Sequence, residues 1–226
     1  MIFYAPTCSL NDQKYTLSEI ESKHCIKVLR QQIGSIIELV NGNGGRFTCK
    51  IIDDHFKKCK VQIIKKDQFP KREKQLHIAM AIPKSSERLE WFLEKATELG
   101  LTKLSLLNCA NSERRTANEK RLEKIAVSAL KQSKRYYLPQ IISPVSYIEF
   151  IQNHPKGYIA HCYDSEKMHA KNISVLEPIL IGPEGDFSEL EVAEAIKKGY
   201  ISIDLSKNRL RTETAALTGV FYLSDL

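Results

Sequence analysis

The sequence predicts an α/β protein in two parts, a small β-rich N-terminal module followed by a larger domain built on a parallel sheet. Three observations carry that prediction. Residues 1–66 hold apolar or alternating runs separated by turn-rich segments; from residue 75 onward short apolar strands alternate with amphipathic helices; and between them lies "KKDQFPKREK" (65–74), charged, interrupted by Pro70 and without apolar periodicity. A chain of 226 residues with 42% hydrophobic content can bury one large core or two small ones, and the break at that segment gives domains 1–70 and 71–226.

In the first domain, Ser18-Glu19-Ile20-Glu21 has capping-box spacing and opens a helix that runs into "HCIKVLRQQ". "SIIELV", "GRFTCKIID" and "KVQIIKK", separated by "NGNGG" and "DHFKKC", read as an antiparallel meander, hence a barrel-like module. In the second domain, "QLHIAMAI" precedes a helix introduced by Ser85-Ser86, with Leu89, Phe92, Leu93, Ala96 and Leu99 on one face and Gly100 as its stop. "LTKLSLLNC" is the next strand, and Thr116 with Glu119 at box spacing opens a helix that turns Leu122, Ile125, Ala126, Ala129 and Leu130 inward. "GYIAHCY", "PILIG" and "YISIDL" are further short strands, and a last helix begins near Thr212. Such alternation implies a parallel sheet covered on both faces.

Composition excludes several classes of protein. Six cysteines at 8, 25, 49, 59, 109 and 162 form no Cys-x-x-Cys pair, and the six histidines form no cluster at ligand spacing. Neither a metal site nor a disulfide framework is expected, and the expected setting is a reducing cytoplasm. No charged n-region with an apolar h-region starts the chain, and no apolar run approaches the roughly 20 residues of a membrane helix, so a soluble, non-exported protein is expected. The net charge of +7 is uneven: residues 1–70 carry +4, residues 71–140 carry +7 and residues 141–226 carry −4. That asymmetry fits either an electropositive face for a polyanion, with a separate site elsewhere, or ordinary solvated lysine.

The stretch "LIGPEGDFSELE" (180–191) ends an apolar strand with two glycines, a proline and a carboxylate. Ser188 and Glu191 fit a capping box, followed by Leu190, Ala193 and Ile196 and by Gly199 as the stop. The glycines therefore sit in a βα loop, where parallel sheets hold their ligands and where glycine lets a ligand approach the backbone. The loop is neither a Walker A sequence nor Gly-x-Gly-x-x-Gly, so no pyrophosphate cradle is read from it. A second loop, "SKNRLRTETAAL", crowds Lys207, Arg209 and Arg211 against the already positive start of a helix. Those side chains either splay into solvent or meet negative charge. If the two strands are neighbours, both loops share one crevice, which is the candidate active site.

At these residues the chain resembles the RsmE-type ribosomal RNA methyltransferases, members of the SPOUT class. "LIGPEGDFSELE" followed by "LSKNRLRTETAAL" resembles that family's knotted C-terminal region. "HCIKVLRQQIG" resembles the His-x-x-x-Val-Leu-Arg helix of its PUA-like barrel, and "KSSERLEWFLEKATELGL" its Lys-Ala-Thr-Glu-Leu-Gly helix. "NSERR" and "ALKQSKRYYLPQI" resemble its arginine-rich loop and Gln-Ser-x-Arg…Pro segment. The likeness covers nearly the whole chain, and six motifs in order make it specific. It implies a cytoplasmic homodimer with a PUA-like RNA-binding barrel and a deep C-terminal trefoil knot, one that binds S-adenosylmethionine and methylates N3 of a uridine in the decoding region of 16S rRNA of the small ribosomal subunit. No membrane and no metal enter that reading.

Carried onto this sequence, the resemblance implies cofactor contacts at Leu180, Ile181, Gly182, Pro183, Glu184, Gly185, Leu205, Ser206, Asn208 and Leu210. It departs from the family at Asp186 and Ser206, where glycine is usual, and at Asn208 and Arg209, where arginine and an apolar residue are common. Arg211 is the candidate for stabilising negative charge on the uracil; Glu184 is either a base or an acceptor for loop amides. Arg30, Arg46, Lys84, Arg88, Lys95, Arg114, Arg115, Lys131 and Arg135 are candidate phosphate contacts or else a solvated helix face, and Gln132 either reads a base edge or caps. His24 reads as a packing or capping histidine. Two rival readings remain: a non-catalytic RNA-binding protein, separated by cofactor binding, and a metal-dependent nucleotide hydrolase using Glu184 and Asp186, against which the missing Walker A and missing carboxylate cluster count.

Overall fold

In the computed structural model, residues 1–173 and 177–224 are described, and they divide into two units: Met1–Arg72 with Val127–Leu138, and Glu73–Ala126 with Pro139–Leu226. The grouping of Val127–Leu138 with the first unit is a feature that the sequence pattern does not signal.

The first unit is a five-stranded sheet ordered β1-β3-β4-β5-β2. β3 (Ile36–Val40), β4 (Gly45–Asp53) and β5 (Lys60–Gln68) form the expected antiparallel meander. Two three-residue strands add to it: β1 (Ile2–Tyr4), parallel to β3, and β2 (Lys14–Thr16), antiparallel to β5. Alternation along β4 turns Phe47, Cys49 and Ile51 inward, where they join Phe3, Leu39 and Val61 in one core. Ser18 accepts the Glu21 N–H to cap α1 (Glu19–Lys23), which continues as a π-helical turn, His24–Val28. Five of the six cysteines are buried, and all are free thiols.

The second unit is a seven-stranded sheet whose strands all pair in parallel, as the strand-helix alternation requires. In chain order its strands are β6 (His77–Ala81), β7 (Lys103–Asn108), β8 (Gln140–Ser146), β9 (Gly157–Ala160), β10 (Met168–His169), β11 (Ile179–Ile181) and β12 (Tyr200–Asp204). Across the sheet they run β10-β12-β9-β11-β6-β7-β8. β8 was not foreseen, because Pro144 argues against a strand; as an edge strand it tolerates the missing N–H. The helices are α2 (Ser86–Leu99), α3 (Glu119–Ser133), α4 (Tyr147–Asn153), α5 (Glu189–Lys197) and α6 (Thr212–Leu223).

Two helix details correct the sequence reading. α3 starts later than a Thr116 cap would place it, because the Asn118 side chain accepts the Arg121 N–H and serves as the cap. On α5, Ala195 is buried and Val192 packs on the core while Leu190 is 80% exposed. The Ser188–Glu191 capping box that opens α5 is complete in both directions. No helix of the described residues is long and apolar enough to cross a membrane.

Candidate active site

Because the strands are parallel, the loops that leave β9, β11 and β12 emerge on one edge of the sheet. These three strands are neighbours, with β9 in the middle. The chain runs β6, β7, β8 outward in one direction and fills the other side with β9, β11 and β12, so the strand order reverses between β6 and β11, at one flank of this group. A cavity of ≈ 790 Å³ lies at the carboxyl ends of β9, β11 and β12.

Most of the expected cofactor residues border it: Ile181, Gly182, Pro183 and Glu184 from the end of β11 and the loop after it, and Leu205, Ser206, Asn208 and Leu210 from the loop after β12, where the candidate catalytic residue Arg211 borders it too. Two do not. Leu180 is fully buried with Phe150, Ile159 and Phe187, since alternation along β11 turns it to the other face of the sheet from Ile181. Gly185 faces Asn111, whose side chain donates to the Gly185 and Asp186 carbonyls at 3.4 and 3.1 Å. Its φ is not positive and a Cβ there would make only an ordinary 3.4 Å contact, so the constrained glycine of the loop is Gly182, where a Cβ would come 3.0 Å from the Phe187 nitrogen.

The left-handed conformation that glycine favours falls on Asp186, at φ 65°. Aspartate tolerates this left-handed region better than most residues. Its carboxylate accepts the Phe187 N–H at 2.8 Å and the Cys162 N–H at 2.7 Å, tying the loop after β11 to the loop after β9. Tyr163 strengthens the link by donating its hydroxyl to the Phe187 carbonyl at 2.7 Å. Ser206 likewise serves a turn, since its N–H is accepted by Asp204 and its hydroxyl accepts the Asn208 N–H.

Glu184 is committed to holding loops. Its Oε1 accepts the Lys84 backbone N–H at 3.0 Å and lies 3.5 Å from the Arg88 guanidinium. Arg88 in turn lies 3.7 Å from the buried Glu213 in the first turn of α6, so one guanidinium joins the loop after β11 to the helix after β12. Arg209 reaches the Glu184 carbonyl at 3.5 Å. Arg211 stands at the N-cap of α6 with an exposed side chain beside the cavity.

The loop after β9 was missed as part of the site. Ala160, His161, Cys162, Ser165 and Lys167 border the cavity, and His161 is held by Ser202 Oγ at 2.9 Å from its Nε2. Burial, assisted by the charge of Lys167, pushes its pKa below the usual histidine range. Its place at the carboxyl end of a predicted strand was the available signal. Among the described residues no group of three or more His, Cys, Asp or Glu could hold a metal.

The candidate RNA contacts fall in both units. In the first, Arg30 is exposed at φ 53°, Arg46 is paired with Glu38, Lys131 lies 2.7 Å from Glu21, Gln132 is exposed, and the half-buried Arg135 has its pKa lowered by burial and by Arg72. In the second, Lys84 pairs with Glu113 at 2.7 Å and Lys95 with Glu94 and Glu98 at 2.7 and 3.0 Å, so both already have carboxylate partners, as does Arg88. Arg115 is exposed and Arg114 half-buried on the loop after β7.

A parallel sheet with a cavity walled by three of its βα loops, in a chain that also holds a small β module, defines a class of α/β proteins; the family profiles specify it. An RNA methyltransferase domain matches residues 70–224 and an RNA methyltransferase PUA domain matches residues 17–64. The ribosomal RNA small subunit methyltransferase E of Buchnera aphidicola is 32% identical over 95% of this chain and 89% of its own. A Porphyromonas gingivalis crystal structure described as a "probable rRNA-methyltransferase" superposes with a TM-score of 0.87 at 33% identity, covering 98% of this chain and 96% of that one. The Neisseria gonorrhoeae ribosomal RNA small subunit methyltransferase E, solved bound to S-adenosyl methionine, superposes at 0.84 with 26% identity, covering 97% and 94%. The chain belongs to the ribosomal RNA small subunit methyltransferase E family of RNA methyltransferases.

Proposed function

We propose that this chain transfers a methyl group from S-adenosylmethionine to N3 of a uridine in the decoding region of 16S rRNA, acting as a homodimer on the small ribosomal subunit. The observation that carries the reading is the cavity at the carboxyl ends of β9, β11 and β12, walled by their three βα loops with an arginine at its rim. Its size lies within the roughly 300–1,000 Å³ of small-molecule sites. Its residues suit the cofactor's two ends: Ile181 and Leu205 give a buried apolar wall for a flat base, while Lys167, Lys207 and Arg209 give a charged rim for an amino-acid tail.

When bound, S-adenosylmethionine supplies a methyl group activated by its sulfonium. The chain's own residues supply position and charge. Uracil N3 lies on the Watson–Crick edge, so the site takes an unpaired or flipped base; transfer would break the sulfonium's methyl–sulfur bond as the N3–carbon bond forms, leaving neutral S-adenosylhomocysteine, and the N3 proton would pass to solvent water. Arg211, at the positive end of α6, is placed to stabilise negative charge spreading onto the uracil carbonyls. Glu184, with one oxygen given to Lys84 and Arg88, acts in this reading as a loop brace rather than a base.

Two structural parts of the proposal have support. α6 packs on β6, β11 and the 3-10 turn Ala170–Asn172, contacts compatible with the C-terminal trefoil knot included in this reading. α2 and α6 pack together and leave Trp91 43% and Phe221 54% exposed, apolar surface that a second copy would cover. The test is transfer of labelled methyl groups into 30S particles and into naked 16S rRNA, with mapping of the product. One N3-methyluridine in the decoding region is expected in at least one substrate; label at another base, or in neither substrate, would overturn the reading.

A further inference from the structure

His161 has one nitrogen used and one left over. Nε2 is 2.9 Å from Ser202 Oγ on the adjacent strand β12, and the next residue is pinned by the Cys162 N–H to Asp186. The ring is thus held by Ser202 and the backbone that follows it by Asp186. Nδ1 is buried and has no hydrogen-bond partner among the described residues, although the residue borders the cavity. Buried imidazole nitrogens without partners are rare, because the lost water bonds are not replaced. No described residue uses that atom, which leaves the bond to a molecule entering the cavity.

We propose that His161 is a specificity-determining residue, hydrogen-bonding through Nδ1 to the Watson–Crick edge of the cofactor's adenine, with Ser202 as its positioning partner. This inference rests on the reading of the cavity as the S-adenosylmethionine site and deepens it. The base is favoured over the amino-acid end by location: His161 is 8% exposed and sits at the end of β9 beside Ala160, with the buried Ile181 and Leu205 on the adjacent walls, whereas Lys207, Arg209 and Arg211 are exposed. Burial also keeps the imidazole neutral, so it offers one N–H and one lone pair and is no counter-ion for a carboxylate. In this proposal Nε2 carries the proton and donates to Ser202 Oγ, so Nδ1 is the acceptor for the adenine amino group, a donor that hypoxanthine replaces with a carbonyl oxygen.

The test titrates the full-length chain with S-adenosylhomocysteine and with S-inosylhomocysteine, whose hypoxanthine edge reverses adenine's donor and acceptor. Wild type is expected to prefer the adenine ligand by roughly tenfold. His161→Phe, which keeps the ring and removes both nitrogens, is expected to lose that preference at an unchanged ligand-free unfolding temperature, and Ser202→Ala to reduce it. A folded His161→Phe that keeps the preference, or that weakens both ligands equally, overturns the inference. Should His161→Phe fail to fold, an unchanged preference in Ser202→Ala overturns it and a reduced one supports it. If wild type binds neither ligand, the cofactor reading fails first and the inference falls with it.

Discussion

Arg211 is the residue on which chemistry and binding separate. Its side chain stands beside the cavity at a helix N-terminus, where a cation is mildly unfavourable until negative charge develops nearby. Arg211→Ala is therefore expected to lower the methylation rate by about a hundredfold or more while changing cofactor affinity by less than about tenfold, measured by single-turnover methylation and calorimetry. Equal losses would make it a cofactor clamp. A second residue gives a pH prediction. His77 is buried against Ser105, and desolvation, with the charges of Lys103 and His154, lowers its pKa to about 3. The unfolded chain binds the proton near the ordinary pKa of about 6.5, so stability is intact above that value and falls as pH drops toward 3. Between pH 7 and 4.5 this one group is expected to cost about 2–3 kcal/mol in urea unfolding, a dependence that His77→Gln should remove. The sequence showed the residue types of the site but not their commitments: a Gly-Pro-Glu-Gly turn does not say that Glu184 faces Lys84 and Arg88, because both partners lie about a hundred residues away, Lys84 just before α2 and Arg88 in its first turn.

At the scale of elements, the site depends on loops that brace one another. Asp186 supplies both a left-handed backbone and an acceptor shared between two loops. Asp186→Ala is expected to destabilise the protein by about 2–4 kcal/mol, with Asp186→Gly recovering about 1 kcal/mol of it, because glycine relieves the backbone but not the two unpaired N–H groups. Urea unfolding of the three proteins would check this, and identical losses in both variants would show that φ contributes nothing. The long periodic helices, the capping box at Ser188 and the meander were legible because each rests on local spacing. β1 and β2 were not, since three-residue strands carry no period, and β8 was hidden by its proline. The loop after β9 escaped notice because its contribution arises from β9 lying between β11 and β12, an order that no local pattern encodes.

For the whole molecule, the two-part organisation was legible in the change of period near residue 70, but the grouping of Val127–Leu138 with the first unit was not. Gly44 donates its N–H to the Tyr136 carbonyl, and Phe69 stacks on Tyr136 at 3.8 Å, contacts between residues far apart in sequence. The proposed dimer adds a test at this scale: if a second copy covers α2 and α6, the double substitution Trp91→Glu and Phe221→Glu is expected to shift the sedimentation coefficient from that of a dimer to that of a monomer, and an unchanged coefficient would place the interface elsewhere. The central claim, that the cavity at the edge of β9, β11 and β12 is the methyl-donor site, is tested most directly by calorimetric titration of the full-length chain and of Gly182→Val with S-adenosylmethionine. A side chain at 182 meets the Phe187 backbone at 3.0 Å and stands in the cavity wall. The account predicts one cofactor bound per wild-type chain and none by a folded Gly182→Val; no binding by wild type, or undiminished binding by the folded variant, would contradict it.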